Sequence, residues 1–170
     1  YKYRFYPTSA QVELLARTFG CVRFVYNAVL RWRTEGFQLR QEKIGYLQAN
    51  ARLSAMKKDP GLAFLNEVSS VPLQQCLRHQ QAAFKNFFEG RARYPTFKSK
   101  KRRQSLELTR SAFKYADGQL YMAKSNTPLA IRWSRLLPGE PSTVTITKDS
   151  AGRYFVSCRC EFEPEILPVT

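Results

Sequence analysis

Residues 2–6, Lys-Tyr-Arg-Phe-Tyr, alternate strictly, with Tyr3 and Phe5 on one face and Lys2, Arg4 and Tyr6 on the other. Such a stretch predicts a half-buried strand, yet strand-like alternation does not return until residue 105. A lone strand cannot bury its apolar face. The opening segment is therefore expected to pair with the far end of the chain, across everything in between.

What lies between reads as helix. Pro7 ends the strand, and Thr8 with Gln11 has the spacing of a capping box. A short helix is expected to follow, with Val12, Leu15, Ala16 and Phe19 on one face and Gly20 as its stop. A second helix over 22–39 would pack Phe24, Val25, Ala28 and Val29 and project Arg23, Asn27, Arg31 and Arg33. A third runs from Tyr46 to about Lys57 and closes at Asp59-Pro60-Gly61. Residues 62–68 allow one or two further turns. Val71-Pro72 opens a long helix reaching Glu89, capped by Gly90, with Leu73, Leu77, Phe84 and Phe88 as its core stripe and Cys76 and Phe87 beside them. Beyond residue 104 the period returns to two. Strands are expected at 105–109, 113–115, 119–122, 131–133, 143–148 and 153–162, with Asp117-Gly118 as a hairpin turn. The fold class is thus α+β: a small antiparallel β-barrel, of a size common among oligonucleotide-binding folds, with an inserted helical lobe. Strand count alone fits a sandwich equally.

Charge narrows the function. The 170 residues carry a formal +15, and residues 1–103 hold 20 basic against 6 acidic side chains. Residues 91–103 contain seven cations and no anion, which with Pro95 predicts an extended segment and not a helix. An excess of this size points to a polyanionic partner, nucleic acid first, although a merely basic protein has the same total. Apolar runs of a few residues fall far short of the ~20 that span a bilayer, and no secretory signal is visible, so no membrane partner and a cytoplasmic place are expected. The four cysteines lack paired metal spacing: Cys158-Arg159-Cys160 sits in an alternating strand, and His79 is the only histidine. Scattered carboxylates supply no metal-dependent catalytic set, and there is no phosphate-cradling glycine loop or nucleophile motif. No small-molecule substrate suggests itself.

What is present suits nucleic acid. Tyr94 and Phe97 interleave with Arg91, Arg93, Lys98, Lys100, Lys101, Arg102 and Arg103, rings for bases and cations for phosphates. Arg23, Arg31 and Arg33 extend this track. On the long helix Gln74, Arg78, Gln81 and Lys85 form one polar face. Its plain reading is a solvated surface; its other reading is base recognition, since Gln pairs bidentately with adenine and Arg with guanine.

Tyr3-Arg4-Phe5-Tyr6-Pro7-Thr8, Phe19-Gly20-Cys21-Val22-Arg23-Phe24-Val25-Tyr26-Asn27, Ala83-Phe84-Lys85-Asn86-Phe87-Phe88, Tyr94-Pro95-Thr96-Phe97-Lys98-Ser99-Lys100 and Gly152-Arg153-Tyr154-Phe155-Val156-Ser157 together resemble the TnpB family. Members are transposon-encoded, RNA-guided DNA nucleases related to type V CRISPR effectors. The resemblance covers essentially the whole chain in order. It implies a discontinuous wedge barrel over 1–8 and 104–163, a helical recognition lobe over 9–103, and a linker over 164–170. It also implies that a RuvC-type nuclease domain, with its catalytic carboxylates, magnesium and a zinc-binding insert, begins just past Leu167-Pro168, so that no catalytic residue, metal or cofactor is expected within this chain.

The partners implied are a guide RNA and double-stranded target DNA, placing the protein at the prokaryotic nucleoid. The family's motif-reading residues fall on Tyr46, Asn50, Ser70, Gln74, Thr109 and Arg110, with Arg78 on the same helix face as Gln74; Ser70 stands where relatives carry Lys. RNA would be held by the basic segment, by Arg23, Asn27 and Arg31, and by Lys2 and Arg4 on the barrel. A nuclease-dead RNA-guided regulator of transcription would share every one of these positions.

Overall fold

The computed structural model describes residues 1–161, so the expected linker over 164–170 lies outside the described residues. The expected pairing of the two chain ends is present. Strand β1 (Lys2–Tyr6) lies between β7 (Tyr154–Cys160) and the short β5 (Ala130–Ile131), antiparallel to both, in the order β2-β6-β7-β1-β5. Here β2 is Gln104–Thr109 and β6 is Pro141–Lys148. The β1–β7 register places Tyr3 opposite Val156 and Arg4 opposite Phe155. Tyr1 continues that ladder, its carbonyl accepting from the Cys158 amide at 2.8 Å.

The sheet is open and does not close into the expected barrel: β2 and β5 are its two outer strands. The reason lies in the strands available to close it. β3 (Phe113–Ala116) and β4 (Gln119–Met122) pair with each other as a separate hairpin. They are committed by Asp117 and Gly118, whose φ values of 54° and 73° are those of a two-residue hairpin turn. What remains on the other edge, β5, is two residues long. The wedge-barrel expectation is corrected to an open five-stranded sheet beside a two-stranded hairpin.

The helices are α1 (Ser9–Arg40), α2 (Tyr46–Lys58) and α3 (Ser70–Phe88), with a 3-10 helix over Pro60–Asn66. The capping box at the start of α1 is present: Gln11 donates its amide to Thr8 Oγ1 at 3.2 Å, and the Thr8 amide donates to Gln11 Oε1 at 3.0 Å. Gly20 does not stop this helix; α1 runs through it as a single 32-residue element. A mid-helix glycine costs about 1 kcal/mol against alanine, which the buried Phe19, Cys21 and Val22 around it outweigh. The helix ends instead at Gln41, in the left-handed region at φ 53°, its amide donating to the Gly36 and Phe37 carbonyls. At Gly36 an added Cβ would stand 2.8 Å from Ile44 Cδ1, so the end of that side chain would have to shift.

One hydrophobic cluster joins both parts. Leu15, Val25, Val29 and Leu30 of α1 meet Leu73, Leu77 and Phe84 of α3, and the cluster continues into Tyr3, Phe5, Leu108, Val144, Ile146 and Val156 of the sheet. Sequence expectations fail at its border. Phe88 is 61% exposed, and Arg33, expected outward, is only 6% exposed. Gln80, in contrast, is wholly buried and donates to the Tyr26 carbonyl at 3.0 Å. Position 80 falls in the i, i+4, i+7, i+11 row of Leu73, Leu77 and Phe84 and so faces the core, whereas Phe88 is the last residue of α3. Among the described residues, no helix is long and apolar enough to cross a membrane.

Candidate nucleic-acid interface

The basic segment following α3 is extended, as its charge predicts, and two amide side chains give it shape. Asn27 on α1 grips Lys98 from both sides: its Nδ2 donates to the Lys98 carbonyl at 3.0 Å, and its Oδ1 accepts from the Lys98 amide at 2.7 Å. The Gln104 Nε2 at the start of β2 donates to the carbonyls of Ser99, Lys100 and Arg102 at 3.0, 3.2 and 2.8 Å. Its Oε1 accepts from Arg23 Nη1 at 3.1 Å. The backbone is thus folded inward onto Gln104, and Lys100, Lys101, Arg102 and Arg103 are all exposed.

Three neighbouring hollows share Arg23. One, of about 620 Å³, lies between α1, this turn and the β6–β7 connection, with Lys100, Lys101, Arg102 and Lys148 on its walls. Asp149 is the acid lining it among the described residues, and its carboxylate is engaged by the Arg153 amide at 2.8 Å and Arg153 Nε at 2.7 Å. Those bonds hold its pKa below the usual carboxylate value, the backbone bond contributing most. A second, of about 250 Å³, brings Phe97, Lys98 and Arg103 to Tyr26, with Lys98 Nζ 4.6 Å from the Tyr26 ring centre. The third is a groove along the α2 side of α1, of about 960 Å³.

The two rings of the segment are placed differently. Phe97 is 57% exposed. Tyr94 is half-buried, edge-on to Phe84 and Phe87, with its hydroxyl 2.7 Å from Thr34 Oγ1. Arg91 pairs with Glu89 at 3.2 Å, Arg93 is exposed, and Arg31 pairs with Glu35 at 3.0 Å. Arg33 does not extend the track: its guanidinium lies 4.0 Å from the Phe84 ring centre, and Nη2 donates to Gln81 Oε1 at 3.0 Å. On the sheet, Lys2 and Arg4 stand over the Phe155 ring at 4.5 and 5.6 Å.

Of the expected motif-reading residues, Tyr46 and Arg78 are brought together, the guanidinium 4.9 Å from the ring centre. Gln74 is exposed one turn before Arg78 on α3, while Gln81 is half-buried against Arg33, so the polar face is interrupted there. Asn50 and Ser70 are half-buried. Thr109 ends β2, its Oγ1 3.4 Å from Ser111 Oγ, and Arg110 is exposed beside it. A contact between His79 and Glu107 ties α3 to the strand that carries Thr109.

Nothing in the described residues fits a metal: no three His, Cys, Asp or Glu side chains converge. Burial pushes the Cys76 and Cys158 thiols up to about 12 and about 11, the opposite of what a thiolate ligand needs.

Sequence patterning did not single out Gln104, Lys148, Arg17, Arg52, Trp32 or Phe64 as part of an interface. For Gln104 a signal existed: a lone amide directly after seven cations is well suited to collecting carbonyls. The others come from separate elements and meet only in the fold.

Residues 1–42 match the helix-turn-helix domain of IS605 OrfB proteins; in this chain that stretch holds β1 and the single helix α1. Two similar proteins bear the name "Putative RNA-guided DNA endonuclease". One, from Streptomyces pristinaespiralis, is 57% identical over 173 residues, covering the whole chain and 43% of that relative. The other, InsQ of Escherichia coli K12, is 30% identical over 171 residues, covering 96% of the chain and 40% of the relative. "Virulence protein VsdF" of Salmonella dublin is 33% identical over 104 residues, 56% of the chain and 87% of that protein. The chain therefore spans less than half the length of the two endonuclease-named relatives, and by these matches it belongs to the TnpB family of transposon-associated proteins.

Proposed function

We propose that this chain is the guide-RNA-binding and DNA-motif-recognition portion of a TnpB-like RNA-guided DNA endonuclease. The observation that carries the reading is the turn folded onto Gln104, which presents Lys100, Lys101, Arg102 and Arg103 to the solvent beside hollows walled by Arg23 and Lys148. An extended, shape-held cationic loop suits the irregular backbone of a structured RNA, where phosphate spacing and not base identity is read. The α3 face with Gln74, and Arg78 seated on Tyr46, is suited to a major groove, where amide and guanidinium groups discriminate bases. Target sequence is then read by base pairing with the guide, and the protein reads only a short duplex motif. Bond cleavage, with its magnesium and zinc, is assigned to the portion of the relatives that this chain does not span.

The test is RNA binding across a salt series by the chain in which Lys100, Lys101, Arg102 and Arg103 are each changed to Gln. If the four cations contact phosphates, the slope of log K against log salt becomes shallower by about 3, and affinity at low salt falls for every RNA tried. An unaltered slope removes the segment from the interface. For the motif face, Gln74→Ala lowers affinity for motif-bearing duplex about ten-fold, within the ~1–3 kcal/mol of a bidentate contact, and leaves the RNA slope as it was. Unchanged motif preference removes Gln74.

A further inference from the structure

The groove on the α2 side of α1 differs in chemistry from the cationic hollows that adjoin it. It follows α1 from Arg17 to Glu35, about 27 Å at 1.5 Å per residue. Its opposite wall carries Arg52 of α2, Phe64 of the 3-10 helix, and Phe97 of the basic segment. Rings line it at intervals: Phe24 and Phe64 meet edge to face at 5.3 Å, Trp32 lies further along, and Phe97 stands at the border with the second hollow. Phe24, Phe64 and Phe97 are all exposed, at 37, 39 and 57%.

Its charge is largely spent within the protein. Of four lining arginines, Arg31 pairs with Glu35 at 3.0 Å and Arg17 with Glu67 at 4.0 Å. Arg52 lies 4.9 Å from the Trp32 ring centre, and Arg23 is bonded to Gln104. A surface of this kind is weak at neutralising phosphate and strong at offering flat faces, both aromatic and guanidinium.

We infer that this groove is a base-stacking site for unpaired nucleotides of a single-stranded RNA segment, entered past Phe97 from the phosphate-binding turn. The inference rests on the RNA-binding reading above and adds to it a division of labour: the turn holds phosphates and the groove holds bases. Duplex DNA, whose bases are stacked on each other, has no free faces to give such a groove. An apolar peptide would use the same rings without needing the neighbouring cations.

The two roles separate in one experiment on the 170-residue chain, using a fluorescein-labelled 15-nucleotide oligouridine, a 15-base-pair duplex DNA and a salt series. Phe97→Ala and Phe64→Ala should each weaken oligouridine binding about ten-fold, since stacking is worth ~1–3 kcal/mol per base. Neither should change the salt slope or the affinity for the duplex. In a Trp133→Phe background Trp32 is the remaining tryptophan of the two, and its emission should be quenched on oligouridine addition, with less quenching in Phe97→Ala. Oligouridine binding by the unsubstituted chain that Phe97→Ala and Phe64→Ala leave unaltered, without quenching, overturns the stacking site while leaving the RNA-binding reading intact. Equal weakening of duplex binding also overturns it, as does a shallower salt slope in the ring variants. Failure of the unsubstituted chain to bind oligouridine at any salt overturns both.

Discussion

The helical part and the sheet are held by different kinds of contact. In the sheet, β6 and β7 pair over seven registered positions and β2 and β6 over six, and what they bury is apolar apart from Thr147. In the helices four polar side chains are buried, Gln11, Thr18, Arg33 and Gln80, and each reaches a specific partner. Gln11 caps α1 and donates to the Thr127 carbonyl at 2.9 Å; Arg33 bonds Gln81 and Gln80 bonds Tyr26, both between α1 and α3; Thr18 donates to the Leu14 carbonyl at 2.7 Å within α1 itself. Backbone ladders set the geometry of strands without help, whereas packed helices slide unless something fixes their register. The same part carries nearly all the charge excess, 20 basic against 6 acidic residues up to position 103. A surface devoted to cations thus sits on a scaffold pinned by internal hydrogen bonds.

The largest effect tests whether the two parts are one folding unit. Their apolar residues form a single cluster, so Leu73→Ala in α3 and Ile146→Ala in β6 should each lower stability by about 3 kcal/mol and shift one common urea transition. Two separable transitions break the comparison into two independent folds. Next in size is the contrast between buried polar groups. Gln80→Ala should cost about 2 kcal/mol, combining a lost buried hydrogen bond with a small cavity. Thr147→Val in the sheet should cost less than about 1 kcal/mol. Equal costs would show that the helices do not depend on polar pinning more than the sheet does.

The smallest effect uses one buried thiol from each part. The unfolded chain releases a cysteine proton near pH 8.5, while Cys76 and Cys158 retain theirs to about 12 and about 11. Unfolding therefore releases protons in that window, the unfolded state binding fewer of them, and stability falls as pH rises above about 8.5. Between about pH 8 and pH 9.5, Cys76→Ala and Cys158→Ala should each remove about 1 kcal/mol of that fall, measured as the change in urea midpoint with pH. A response to only one of the two would place the parts in separate cooperative units.

Features set by neighbours in sequence were legible. The strand at Lys2–Tyr6, the Thr8/Gln11 cap, the Val71-Pro72 start of α3 and the Asp117-Gly118 hairpin each follow from chemistry within a few residues. Features set by neighbours in space were not. Gly20 was expected to end a helix because its local cost is real, but packing on both sides carried α1 through it. Arg33 and Phe88 exchanged their expected places because the core face of each helix is chosen by the other. Closure of the barrel depended on the far edge of the sheet, where β5 extends over only two residues and does not pair with β2. For the interface, the cations of the basic segment were visible as a run, while the groove was not, because its rings come from α1, the 3-10 helix and the segment. Phe24 shows the limit: its hydrophobicity predicted burial, and it lies 37% exposed on the groove wall.

The turn at residues 98–102 is held by Asn27 and Gln104 through its main-chain atoms, with one further bond from the Lys101 amide to Ser99 Oγ at 3.3 Å. Its contour is consequently independent of the lysine and arginine side chains it displays. Lysine can become arginine there, or a cation can be dropped, without disturbing the path of the chain, so the charge that the loop displays can be retuned by single substitutions. The two amides enjoy no such latitude, and altering either would reshape every contact of the loop at once.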